Sequence, residues 1–175
     1  MQSRRKAFSL VELVIVVVII GVIAAIAVPR ISRGAKGAGE SALRGSLAGL
    51  RNAIDMYAAE HGGSWPGTPG NTKAALLTQL TKKTDASGVD GTTAGTHIYG
   101  PYLRGGFPPC PLGPNSGAKG VMMTITVPLQ TAADPAAVDA DTENVCWIYN
   151  YQTGEIIINT ADTTVDEKNV KYNTY

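Results

Sequence analysis

Asp139, Asp141 and Glu143 alternate along VDADTEN, a spacing that offers three carboxylates to one cation. Calcium is the ion such oxygens would take, but the tight-turn glycine and distal glutamate of an EF-hand loop are absent. A solvated acidic loop is therefore expected there. GPNSGAKG hints at a phosphate loop, yet the spacing to Lys119 is wrong, no Ser or Thr follows it, and a strand comes next where a helix should open. GGSWPG misplaces the second glycine of a nucleophile elbow and has no strand leading in. His61 and His97 have no ligand-like spacing with each other or with Cys, and are expected as exposed loop histidines. The head aromatics Trp65, Tyr99, Tyr102, Phe107, Trp147, Tyr149 and Tyr151 lack interleaved Lys/Arg, so packing is expected of them and not base stacking. The chain carries 15 basic and 14 acidic residues, which is no footprint for nucleic acid. One acid stands apart from all these: Glu12, near the start of an apolar run.

That run, Phe8 to Val28, holds one charge and as a helix would span about 31 Å, close to the hydrocarbon thickness. Arg4, Arg5 and Lys6 precede it, so the positive-inside bias keeps the N-terminus cytoplasmic and sends everything after Pro29 outward. A secretory signal would cut near Ala25-Ile26-Ala27, but its apolar region is normally only ~7–15 residues, and Pro29 would lie just past the cut. A plain anchor leaves Glu12 unexplained, because an acid in the apolar layer costs on the order of 2–3 kcal/mol or more.

KAFSLVE, Lys6 to Glu12, resembles the prepilin peptidase site of type IV pilins and type II secretion pseudopilins. The resemblance implies cleavage between Ala7 and Phe8, with N-methylation of the new Phe8 amine. Glycine is commoner than alanine before the cut in that family. Gly21 and Pro29 match its helix-softening glycine and proline. The resemblance also gives Glu12 a role. An amine made by cleavage and a carboxylate attract more strongly as the dielectric falls, so Phe8 of one subunit and Glu12 of another can pair and set the register of a filament.

The elements that follow are legible from pattern. Leu43, Leu47, Leu50, Ile54 and Tyr57 step by four and three, the apolar face of a helix continuing through residues 30–61. Pro29, Gly34, Gly37 and Gly39 weaken its junction with the apolar half. HGGSWPGTPGN ends that helix. Residues 72–83 read as a short helix with Leu76, Leu77 and Leu80 inward. The Gly/Pro-rich stretch 84–117 is expected to pack on the sheet, fastened by Cys110. GVMMTITVPL alternates Val121, Met123, Ile125 and Val127 on one face, and VCWIYNY and EIIINT flank a turn at Gln152-Thr153-Gly154. Three antiparallel strands against the amphipathic half-helix are expected, with no assignment for the polar tail 161–175.

The fold class so predicted is α+β and pilin-like: a long N-terminal helix packed on a small antiparallel sheet with a long loop region. The domains are a leader, 1–7; a membrane or filament-core helix, 8–29; its amphipathic continuation, 30–61; and a periplasmic head, 62–175. Cys110 and Cys146, the two cysteines, both fall in the exported part and could form one disulfide or remain two buried thiols. HGGSWPGTPGNTKAALLTQL, YGPYL and CWIYNYQTGEI are similar to the major pseudopilin of type II secretion, although the loops here are longer and the central spacing is not kept. That resemblance implies calcium near the last strands, with Asp162, Asp166 and Glu167 the acids best placed for it and no motif that transfers the site.

The expected function is a structural, non-enzymatic subunit of a pseudopilus whose assembly drives protein export. Its implied partners are copies of itself, other pseudopilins, the prepilin peptidase, and an inner-membrane assembly platform with its ATPase. A surface pilus for adhesion, motility or DNA uptake is the alternative. From another class, a membrane-tethered binding module or hydrolase remains, without a catalytic constellation to support it.

Overall fold

The computed structural model describes residues 9–125, 129, 139, 141, 143–160, 165–166 and 169–175. The chain divides into two compact units, Met1–Ala38 and Gly39–Tyr175, and helix α1 (Leu10–Glu60) contributes to both. In the first unit the helix is apolar on every side from Leu13 to Val28, and its large side chains there are exposed. Such a helix has no polar face to turn to water, so it needs lipid or partner helices. By length and composition it can cross a membrane. Pro29 lies inside the helix without ending it.

In the second unit α1 buries Leu43, Leu47, Leu50, Ile54 and Tyr57, the face predicted from their spacing. It stops where Gly62 takes a left-handed conformation (φ 65°), letting the Gly63 amide reach back to the Ala58 carbonyl at 2.8 Å. Helix α2 (Lys73–Thr81) starts at Thr72, whose hydroxyl accepts the Ala75 amide at 3.1 Å, and buries Leu76 and Leu80.

Three strands form the sheet, β1 (Gly120–Thr124), β2 (Val145–Asn150) and β3 (Ile156–Ile158), in that spatial order. Strands β2 and β3 make the predicted hairpin, with Trp147 opposite Ile158 and Tyr149 opposite Ile156. The Asn150 carboxamide oxygen accepts the Gln152 and Thr153 amides and shapes the turn. The expectation of an all-antiparallel sheet is corrected at β1, which runs parallel to β2 with Val121 opposite Trp147 and Thr124 opposite Asn150. The connection from Ile125 to Asn144 is long enough for a crossover, which parallel pairing requires and a hairpin does not. β1 also ends sooner than its alternation suggests. Val121 is buried, but Ile125 lies past the strand and is 52% exposed, and Val127 lies outside the described residues.

Every residue of β2 is buried, as befits a strand covered on both faces. Trp147, Tyr149, Ile156 and Ile158 join the core against α1, while Val145, Ile148 and Ile157 form a smaller cluster with Met122 and Leu129. The stretch after α2 packs down as expected. The Tyr102 and Leu103 amides donate to the Leu80 carbonyl, and the Trp147 indole donates to the Pro108 carbonyl at 2.9 Å.

The tail, which the sequence left unassigned, straps across α1. Tyr172 is buried and its hydroxyl donates to Glu40 Oε1 at 2.9 Å. Arg44 donates to Asp166 Oδ2 and to the Tyr175 hydroxyl, each at 3.0 Å, and lies over the Tyr175 ring. Arg51 donates to the Ile156 and Tyr175 carbonyls.

Candidate assembly site

The first turn of α1 is closed by its own side chains. Ser9 precedes the helix, and its hydroxyl accepts the Val11 amide at 3.3 Å. The Ser9 amide in turn donates to Glu12 Oε2 at 2.9 Å. This reciprocal arrangement is a capping box of the form S-x-x-E, and it satisfies backbone donors that the helix start leaves open. A carboxylate in the first turn is also favoured by the helix dipole. Glu12 therefore has a partner within its own chain. The S-L-V-E pattern carries that signal in sequence, within the same residues that resemble the peptidase site.

Beyond the cap, from Leu13 to Val28, the helix offers only apolar side chains and small ones. A Cβ built at Gly21, Gly34 or Gly37 would meet nothing within 4 Å, so no packing within this chain requires those glycines. Ala7 and Phe8 lie outside the described residues.

A model of the prokaryotic N-terminal methylation motif matches residues 2–28. The chain carries a type IV pilin-like prepilin motif. The motif takes in Ala7, Phe8, Glu12 and Gly21 and stops just short of Pro29. No curated protein and no solved structure matches the chain. The motif thus joins an N-terminal processing signal to an exposed apolar helix, with one acid in its first turn.

The other predicted site residues fall in the head. Cys110 and Cys146 are free thiols buried in the same core cluster. Cys110 donates to the Leu112 carbonyl at 3.3 Å. The Cys146 thiol is pushed up by its hydrogen bond to Cys110 and by burial, which keeps it protonated.

Of the acids proposed for calcium, Asp162 and Glu167 lie outside the described residues. Asp166 is 3% exposed and already engaged by Arg44, the Tyr175 hydroxyl at 2.5 Å and the Val170 amide at 2.9 Å. All three partners are donors, and together they hold this carboxylate between α1 and the tail. Among the described residues no three Asp, Glu, His or Cys side chains form a group open to a metal ion.

Two expectations are corrected in the head. His61 is buried, stacked on Tyr57 with ring centroids 3.9 Å apart, and bonded to the Tyr57 carbonyl and the Thr84 hydroxyl. The turn after α1 folds it back under the 84–99 segment, where it ties the helix end to that loop. Likewise Asp139, Asp141 and Glu143 are not simply solvated. All three lie within 3.0 Å of the Lys73 ammonium, and the Asp139 side chain is only 1% exposed.

Proposed function

We propose that this chain is a structural subunit of a type IV pilin-like filament, and within that class a type II secretion pseudopilin. The observation that carries the reading is the methylation motif lying directly on a helix that is apolar on every side yet bears one acid in its first turn. The tryptophan-proline turn, the short helix after it, YGPYL and the aromatic hairpin support the pseudopilin assignment.

In this reading the subunit waits in the inner membrane with its N-terminus in the cytoplasm and its head in the periplasm. A prepilin peptidase cuts between Ala7 and Phe8, and the Phe8 amine is methylated. An assembly ATPase and its membrane platform then move the helix from lipid into a bundle of sister helices. Lipid tails and apolar side chains are equally oily, so that transfer brings little hydrophobic gain. Selectivity falls to helix packing and to the pairing of the Phe8 amine of one copy with Glu12 of the next. Pro29 and the glycines at 34, 37 and 39 mark the stretch of helix most able to yield within the polymer.

N-terminal sequencing of the mature protein tests the core of this proposal, and Phe8 is the expected first residue. A start at Val28 would make the protein a secreted domain, and a retained leader a simple anchor. Deleting the gene separates the finer readings. Loss of secreted enzymes with surface pili intact is expected, and loss of surface pili with secretion intact would overturn the pseudopilin assignment.

A further inference from the structure

Lys73 opens α2, the end of a helix where the dipole works against a cation. It is nevertheless 9% exposed and points its ammonium into a cradle of three carboxylates. Asp139 Oδ2 lies at 2.6 Å, and Asp141 Oδ2 and Glu143 Oε2 each lie at 3.0 Å. An ammonium has three protons and finds three acceptors here. The cradle is itself built. Asp139 Oδ1 accepts the Asp141 and Glu143 amides at 3.0 Å, and Oδ2 accepts the Val121 amide at 3.2 Å. Gly120 permits this closeness, since a Cβ there would sit 2.4 Å from the Asn144 carbonyl oxygen and 3.0 Å from Asp139 Oδ2. Oxygens offered at alternate residues resemble the opening of a calcium loop.

We propose that Lys73 supplies from within the fold the cation that this cradle would otherwise take from solution. The head then fastens the start of α2, the start of β1 and the segment leading into β2 without a divalent metal. One flexible lysine replaces an ion whose binding would depend on its concentration outside the cell. Burial works to lower the Lys73 pKa, but the hydrogen bonds to Asp139, Asp141 and Glu143 outweigh it and hold it above the ordinary lysine value. The inference concerns the head alone and stands whether or not the chain enters a pseudopilus.

The test uses the full chain in detergent, with calcium as the probe and binding followed by calorimetry. Wild type and Asp141→Asn should bind calcium equally, because the ammonium already fills the cradle. Lys73→Met should gain a calcium site with a Kd on the order of 10⁻⁴–10⁻³ M, as weaker extracellular calcium modules show. Adding Asp141→Asn to Lys73→Met should remove that gain. If Lys73→Met fails to fold without metal, calcium should restore its circular dichroism. Two results would overturn the proposal: calcium binding by wild type that Asp141→Asn abolishes, or a Lys73→Met chain that neither gains calcium nor is refolded by it.

Discussion

The Ser9 amide and Glu12 Oε2 lie 2.9 Å apart, so the one acid of the apolar helix is held by the residue three positions before it. The lone carboxylate thus has a hydrogen-bond donor within its own chain. In the proposed assembly through the Phe8 amine, Glu12 would trade an internal N–H for a charged partner. A charge-assisted hydrogen bond is roughly twice as strong as a neutral one, which gives that exchange its direction.

This exchange separates cap from charge. Ser9→Ala should cost about 1 kcal/mol of helix-start stability, the ordinary worth of such a cap, and should leave filament yield near wild type. Glu12→Gln keeps an acceptor for the Ser9 amide but has no charge for Phe8, and should insert normally while assembling poorly. Sheared-filament yield and membrane fractionation measure the two effects. Normal filaments from Glu12→Gln would mean that the carboxylate's charge has no part in assembly.

The contact between Cys110 and Cys146 predicts a disulfide once the head reaches an oxidising compartment, by exchange with a thiol oxidoreductase. Denatured protein from the exported fraction should show no alkylatable thiol until it is reduced. Reduction should lower stability by about 2–4 kcal/mol, the usual contribution of a native bridge. Two alkylatable thiols in that fraction would instead mark the pair as packing residues only.

Asp166 fastens the tail to α1 through Tyr175 and Arg44. Asp166→Ala leaves the Val170 amide and the Tyr175 hydroxyl without their acceptor, and should cost about 1–3 kcal/mol. Chemical denaturation of the full chain in detergent measures this. Proteolysis should also reach the residues after Thr160 sooner in the variant than in wild type. An unchanged midpoint would show that the strap contributes nothing to the fold.

The Lys73 clamp predicts a stability plateau with two edges. Burial would raise the Asp139 carboxyl, yet Lys73 and the loop amides hold it below its usual value. A depressed carboxyl contributes stability above its unfolded pKa of about 3.9, and that stability is lost as pH falls through the folded value. The raised Lys73 contributes fully below about 10.4, with loss as pH rises through its folded value. Melting midpoints across pH should be level between these edges, and Asp139→Asn should flatten the acidic one. The same acidic slope in both proteins would remove Asp139 as its cause.

How much of this was written in local pattern varies by element. The spacing of Leu43, Leu47, Leu50, Ile54 and Tyr57 named the buried face of α1, because helical period acts over a few residues. The β2–β3 hairpin followed from alternation around a short turn, for the same reason. Alternation cannot state strand direction, so the pattern alone does not tell that β1 runs parallel to β2. Its partner is chosen by the route of the intervening chain. The burial of His61 is not legible locally because it depends on where the 84–99 segment lies.

By itself, then, the sequence determined the membrane-length helix, its processing signal with Glu12, and the faces of the main elements, since each is set by neighbours a few positions apart. Tertiary structure alone decided that Lys73 meets Asp139 and Glu143, 66 and 70 residues away, and that Arg44 meets Asp166 across 122. A lone lysine or aspartate carries no mark of a distant partner. Only chain closure brings the two charges within a few ångströms, where burial makes the pairing count.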